Sequence, residues 1–204
     1  MINEEYYNKN AKAFFENTAK IDMQEIYEEF IKYLNTGDRI LDIGCGSGRD
    51  VLFFANTGYL PIGIDCSDEM VKLASEFTGQ KIIKLDVKEL EYENEFEGVW
   101  ACSSLLHLKN DEIKEVIKKI IKSLKNNGII YMSFKYGNFE GIRNGRYFKD
   151  YQKDTLKELI AHFPALKIIK IWRTEDKRKD RDSAYWLNII LINHKKYTDN
   201  YSIT

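Results

Sequence analysis

Asp42, Gly44, Gly46, Gly48 and Arg49 fall within "LDIGCGSGRD", where glycine takes every second place behind an apolar run. Glycines so spaced let the backbone turn sharply off a strand and approach a ligand with no Cβ in the way. Gly44 is expected to take the turn, Gly46 to face a ligand and Gly48 to let the following helix pack closely. Dinucleotide sites favour G-x-G-x-x-G; here the third glycine comes one residue early, and Arg49 stands where that pattern has glycine. A carboxylate at Asp42 would repel a pyrophosphate, but it suits the ammonium of a cationic amino-acid ligand, directly or through water. Asp65 ends the next apolar run, at the right distance along the chain to hold a ribose diol.

His107 is the histidine nearest the end of the fourth apolar run. With an ordinary pKa of about 6.5 it could take a proton near neutrality, or simply line a pocket. His162 and His194 read as structural or solvated. Cys45, Cys66 and Cys102 are odd in number and widely spaced, which fits neither a disulfide framework nor a zinc site, so they read as small buried hydrophobes. Cys102, just after Ala101, reads as core. Between Met132 and Lys153 five basic residues (Lys135, Arg143, Arg146, Lys149, Lys153) face two acidic ones, Glu140 and Asp150. That bias could receive an anion, and Arg143 and Arg146 among Tyr136, Tyr147, Phe148 and Tyr151 suit a flat or anionic partner by stacking and paired hydrogen bonds. A plain surface loop is the alternative. The run "RTEDKRKDRD" interleaves both signs and reads as a solvated hairpin tip, unlike a phosphate-backbone tracker.

These residues need a frame. Apolar positions from Met23 to Leu34 follow a helical stripe with Asp22 as its cap, and "RILDI", "LPIGID", "KIIKLDV", "FEGVWACSS" and "IIYMSF" read as strands separated by amphipathic helices. One of those helices is expected to be capped by Asp111 and to end near Gly128. Nearly continuous apolar strands alternating with helices predict a doubly wound, Rossmann-like α/β sheet, mostly parallel, with helices on both faces. "LKIIKIW" and "YWLNIILI" follow each other with no helix between, which predicts an antiparallel closing pair. The 204 residues fit one domain; 44% hydrophobic content with 31% charge is that of a soluble protein, and no apolar run approaches the ~20 residues a membrane span needs. The N-terminus lacks a basic start followed by an apolar stretch, so a cytoplasmic location is expected. A formal net charge of −1 disfavours a nucleic-acid partner.

Taken together the motifs resemble those of the class I S-adenosylmethionine-dependent methyltransferases. "LDIGCGSG" looks like their first motif, "GIDCSDEM" like the second, "LDV" like the third, "CSSLLHL" like the fourth, and "LKNNGIIYMSF" like the segment leading into their fifth strand. The resemblance implies seven strands with an antiparallel last one, and S-adenosyl-L-methionine as cofactor. It implies ligand contacts at Asp42, Gly44, Cys45, Gly46, Gly48, Arg49, Asp65 (ribose), Cys66, Met70, Asp86 (near the adenine amine), Val87, Ser103 and His107. "EEYYNKNAKAFFENTA" is similar to the first helix of many small members, which covers the cofactor; residues 1–20 would form that lid, with Tyr6 or Tyr7 at the methionine end. Residues 135–153 would select the acceptor through Tyr136, Arg143, Arg146 and Tyr147, with His107 as a candidate base. The chain's two prolines, Pro61 and Pro164, leave no Asn-Pro-Pro-Tyr or Pro-Cys motif, and Ser103 stands where a magnesium-dependent catechol type has an acid, so no metal is expected. The expected function is methylation of a small molecule by a monomer or homodimer. The alternatives are a tRNA base as acceptor, and a non-catalytic protein that binds the cofactor.

Overall fold

A computed structural model describes residues 2–177 and 184–194. The chain begins with α1 (Ile2–Thr18) and α2 (Gln24–Ile31), then alternates β1 (Arg39–Ile43), α3 (Arg49–Asn56), β2 (Leu60–Asp65), α4 (Asp68–Thr78) and β3 (Ile82–Lys84). A 3₁₀ turn at Val87–Glu89 leads to β4 (Phe96–Ala101); another at Leu105–His107 leads to α5 (Asn110–Ser123) and β5 (Leu124–Lys135). Then come β6 (Glu140–Arg143), β7 (Arg146–Lys149), α6 (Lys153–Ala161), β8 (Leu166–Glu175) and β9 (Tyr185–Asn193).

Seven strands form one sheet in the order β3-β2-β1-β4-β5-β9-β8, and β6 and β7 form a separate hairpin. The first five strands pair in parallel; β9 runs antiparallel between β5 and β8. The antiparallel last strand is as expected, and it lies inside the sheet.

Parallel strands must bury both faces, and β1 does so residue by residue. Leu41 and Ile43 join a core with Ile113, Val116, Ile117 and Ile120 of α5, whereas Ile40 joins Ile26, Tyr27 and Phe30 of α2 with Phe54 and Trp100. Strand order reverses between β1 and β4, so the cleft for a ligand opens beyond the carboxyl ends of those two strands.

Several boundaries differ from the sequence reading. Met23 is the N-cap residue of α2, and Asp22 sits one place earlier, its Oδ1 accepting the Gln24 N–H at 2.9 Å. Lys109 caps α5 in place of Asp111, because Glu112 folds back to accept the Lys109 N–H at 3.0 Å. That helix stops at Ser123, directly before β5 begins at Leu124, and not near Gly128. β3 covers only the start of "KIIKLDV", since Asp86 turns to cap the 3₁₀ turn, its Oδ1 accepting the Lys88 N–H at 3.0 Å. The expected loop over 135–153 holds the β6–β7 hairpin, turned by Asn144 (φ +51°) and Gly145 (φ +74°). Part of the charged run, residues 178–182, lies outside the described residues. Among those described, no helix is long and apolar enough to cross a membrane.

Candidate active site

The glycine loop leaves β1 with positive φ at Gly44 (+68°), Gly46 (+53°) and Gly48 (+77°). A Cβ on Gly44 would lie 2.6 Å from the Ser104 Cβ, and one on Gly48 would lie 2.7 Å from Thr78 of α4. Backbone here fills space that side chains would need. Asp65 locks the loop from the next strand: Oδ2 accepts the Gly46 N–H and Oδ1 the Ser67 N–H, both at 2.9 Å. Burial still pushes the Asp65 carboxyl above its usual range, against those donors.

Behind the loop, Asp42 is 1% exposed and its Oδ2 has no hydrogen-bond partner. Burial, reinforced by the nearby Asp50 charge, drives its pKa well above the usual carboxylate value. Asp50 behaves oppositely. Burial opposes its charge, yet Arg49 (2.6 and 2.9 Å), the Trp100 Nε1–H (2.8 Å) and the Tyr27 hydroxyl hold it low. Asp42 is thus a buried acid with neither an ion pair nor a partner for its Oδ2, which fits a positively charged ligand.

The cleft beyond the loop encloses about 520 Å³. α1 covers it with Asn3, Tyr7, Phe14 and Thr18, and the β6–β7 hairpin closes the opposite side with Ile142, Arg146, Tyr147 and Phe148. Four groups from three segments join where these meet. The His107 Nδ1 lies 2.7 Å from the Tyr147 carbonyl, which can only accept, so Nδ1 carries the ring proton. Nε2 then accepts from the Tyr7 hydroxyl at 2.9 Å, and that oxygen in turn accepts from Arg146 Nη1 at 3.0 Å. Burial brings the His107 pKa down to about 4, so the ring is neutral near pH 7. It also raises the Tyr7 hydroxyl above the usual tyrosine range.

Of the residues read from sequence, Tyr7, Gly44, Cys45, Gly46, Arg49, Asp65, Cys66, Asp86, Val87, Ser103, His107, Arg146 and Tyr147 line the cleft. Asp42, Gly48 and Met70 stand behind its wall; Met70 is fully buried in α4. Tyr136 and Arg143 also stand off it: Tyr136 lies under Arg173, and Arg143 pairs with Asp150 at 2.9 Å over the Phe139 ring. Cys66 and Cys102, read as core, are half-buried on the wall, because the chain leaves β2 and β4 just before them; burial raises their thiols to about 12 and about 11. Sequence reasoning missed Ser133, Trp186 and Asn188, which with Lys135 of the basic stretch extend the wall along β5 and β9. Antiparallel register puts Ser133 opposite Asn188 and Lys135 opposite Trp186, and no local motif announces such a pairing.

Residues 40–128 match the model of a methyltransferase domain. An uncharacterized protein of Methanocaldococcus jannaschii is 28% identical over 155 residues, 69% of this chain and 59% of its own length. The tRNA (carboxymethyluridine(34)-5-O)-methyltransferase of Arabidopsis thaliana is 29% identical over 106 residues, 51% of this chain and 26% of that protein. Matches span between 37 and 59% of the first three curated relatives' own length. Among solved structures, the 1,6-didemethyltoxoflavin-N1-methyltransferase of Burkholderia thailandensis, with 1,6-didemethyltoxoflavin and S-adenosylhomocysteine bound, superposes with a TM-score of 0.78 at 17% identity, covering 95% of this chain and 88% of that one. With this domain match over residues 40–128, this sheet order and this glycine loop, the chain is similar to the class I S-adenosylmethionine-dependent methyltransferases and shares their fold.

Proposed function

We propose that the protein transfers a methyl group from S-adenosylmethionine to a small-molecule acceptor. The orphaned Asp42 Oδ2 behind a glycine loop locked by Asp65 carries this reading. S-adenosylmethionine, when bound, supplies an electrophilic methyl on a sulfonium. Gly44, Cys45 and Gly46 give it bare backbone, and Asp42 receives its ammonium through water, so that two buried charges of opposite sign replace one. Asp65 holds the ribose, Asp86 and Val87 border the adenine with Cys66, and Arg49, Ser103 and Tyr7 flank the methionine end. Gly48 and Met70 act at one remove, by letting α3 and α4 pack tightly under the loop.

The acceptor lies on the far side of the cleft, between Tyr7, His107, Arg146 and Tyr147. Direct displacement at a sulfonium releases a neutral thioether, so the chain need not stabilise a developing anion, and positioning supplies most of the acceleration. Where the acceptor must lose a proton, the Tyr7 hydroxyl stands between it and the His107 Nε2 lone pair. An enclosed cleft of about 520 Å³ suits a small acceptor beside the cofactor. A tRNA base is the second reading, favoured by the name of the Arabidopsis relative.

Incubation with methyl-labelled S-adenosylmethionine and fractionated lysate tests both. Label in a small-molecule fraction is expected. Label in tRNA would reverse the order, and no transfer with intact cofactor binding would point to a non-catalytic binding protein.

A further inference from the structure

Two arginines line the cleft, and they differ in charge balance. Arg49 is neutralised by Asp50, with contacts at 2.6 and 2.9 Å. Arg146, among the described residues, has no carboxylate oxygen within 4.0 Å; its hydrogen bond goes to the neutral Tyr7 hydroxyl, and its Nε is buried with no partner. Arg143, the other arginine of the hairpin, is paired with Asp150 off the cleft wall. Other carboxylates of the wall are engaged elsewhere: Asp65 accepts from Gly46 and Ser67, Asp86 from the Lys88 N–H, and Glu4 from Lys84.

Arg146 is half-buried, and a guanidinium partly withdrawn from water with no counter-ion carries a cost. Ring faces offset part of that cost and fix its plane: its Cζ lies 4.4 Å from the Tyr6 centroid, 5.0 Å from that of Phe148 and 5.5 Å from that of Tyr7. What results is a preoriented cation on the cleft wall with an unused N–H, the arrangement that favours paired hydrogen bonds to an oxyanion.

We propose that Arg146 receives an anionic group, a carboxylate or a phosphate, on the methyl acceptor. This rests on the methyltransferase reading above and narrows it to anionic small molecules. Neutralisation of Arg146 would also relieve the repulsion it exerts on a protonated His107, so acceptor binding would make that ring a better proton acceptor.

The test titrates the protein, saturated with S-adenosylhomocysteine, with phenyl phosphate, benzoate and neutral benzyl alcohol at fixed ionic strength. Saturable binding of at least one anion is expected, weakened tenfold or more in Arg146→Gln and partly restored in Arg146→Lys, with S-adenosylhomocysteine affinity within twofold of wild type throughout. The better of the two anions identifies phosphate or carboxylate. Preference for benzyl alcohol, absence of saturable anion binding, or an equal loss of S-adenosylhomocysteine affinity in Arg146→Gln would overturn the proposal; the last would assign Arg146 to the cofactor's own carboxylate. Failure of the wild-type protein to bind S-adenosylhomocysteine would instead overturn the methyltransferase reading.

Discussion

The two sides of the cleft are built from different materials. The β1–β2 side is made of backbone: three glycines with positive φ and a carboxylate, Asp65, fixed by N–H groups within twenty residues of it. The opposite side is made of side chains contributed by distant segments. Tyr7 and His107 are 100 positions apart, and Arg146 and Tyr7 are 139 apart. A site made of backbone is rigid and indifferent to what the acceptor is. One made of three separately anchored segments can change its acceptor by changing a few side chains.

The largest effect should follow a change to the rigid side. Gly44→Ala sets a Cβ 2.6 Å from Ser104 at a φ of +68°, so S-adenosylhomocysteine binding should fall at least ~100-fold, with about 2 kcal/mol of stability lost to strain and overlap. Calorimetry and urea unfolding would check both. A near-normal Kd would mean that the loop does not hold the ligand.

Tyr7→Phe removes the hydroxyl that joins α1 to His107 and Arg146. Turnover should fall by ~10- to 100-fold, while the Kd for S-adenosylhomocysteine stays within about threefold, because ring contacts with Phe14 survive. Equal losses in both would erase the contrast between the two sides.

His107 sharpens the comparison through pH. Its pKa drops from 6.5 in the unfolded chain to about 4 in the fold, so between those values the unfolded state binds a proton that the native state refuses. Stability should therefore decline as pH falls from 6.5 to 4, by up to about 3 kcal/mol from this group, and His107→Gln should flatten that part of the curve. Loss of stability on raising the pH through the same window would contradict the burial of a neutral ring.

The smallest effect belongs to Arg143→Gln. Its partner is Asp150 and it stands off the cleft wall, so KM should change by less than about twofold. A tenfold rise would bring Arg143 to the acceptor after all.

The same division explains what could be read from the chain. The sheet, its alternating helices and the loop from Asp42 to Arg49 follow from short-range patterns: apolar runs, glycine spacing, and an acid at the end of β2. The hairpin was also announced, by Asn144-Gly145, a pair that accepts positive φ at both turn positions. Taking 135–153 for a loop hid the consequence that Arg143 and Arg146 face each other across that turn, yet only Arg146 lines the cleft. The caps of α2 and α5 slipped because Asp22 and Glu112 satisfy their donors from positions other than the cap itself. Ser133, Trp186 and Asn188 had no sequence signature, since their place on the wall depends on β9 entering the sheet between β5 and β8.

The most direct test is calorimetric titration with S-adenosylmethionine of the wild-type protein and of Asp42→Asn, whose amide removes a buried acid that lacks a cation. Saturable one-to-one binding, weakened tenfold or more in the variant while the unliganded variant resists urea as well as or better than wild type, is the predicted result. No heat with the wild-type protein, or the same affinity in both, would contradict it.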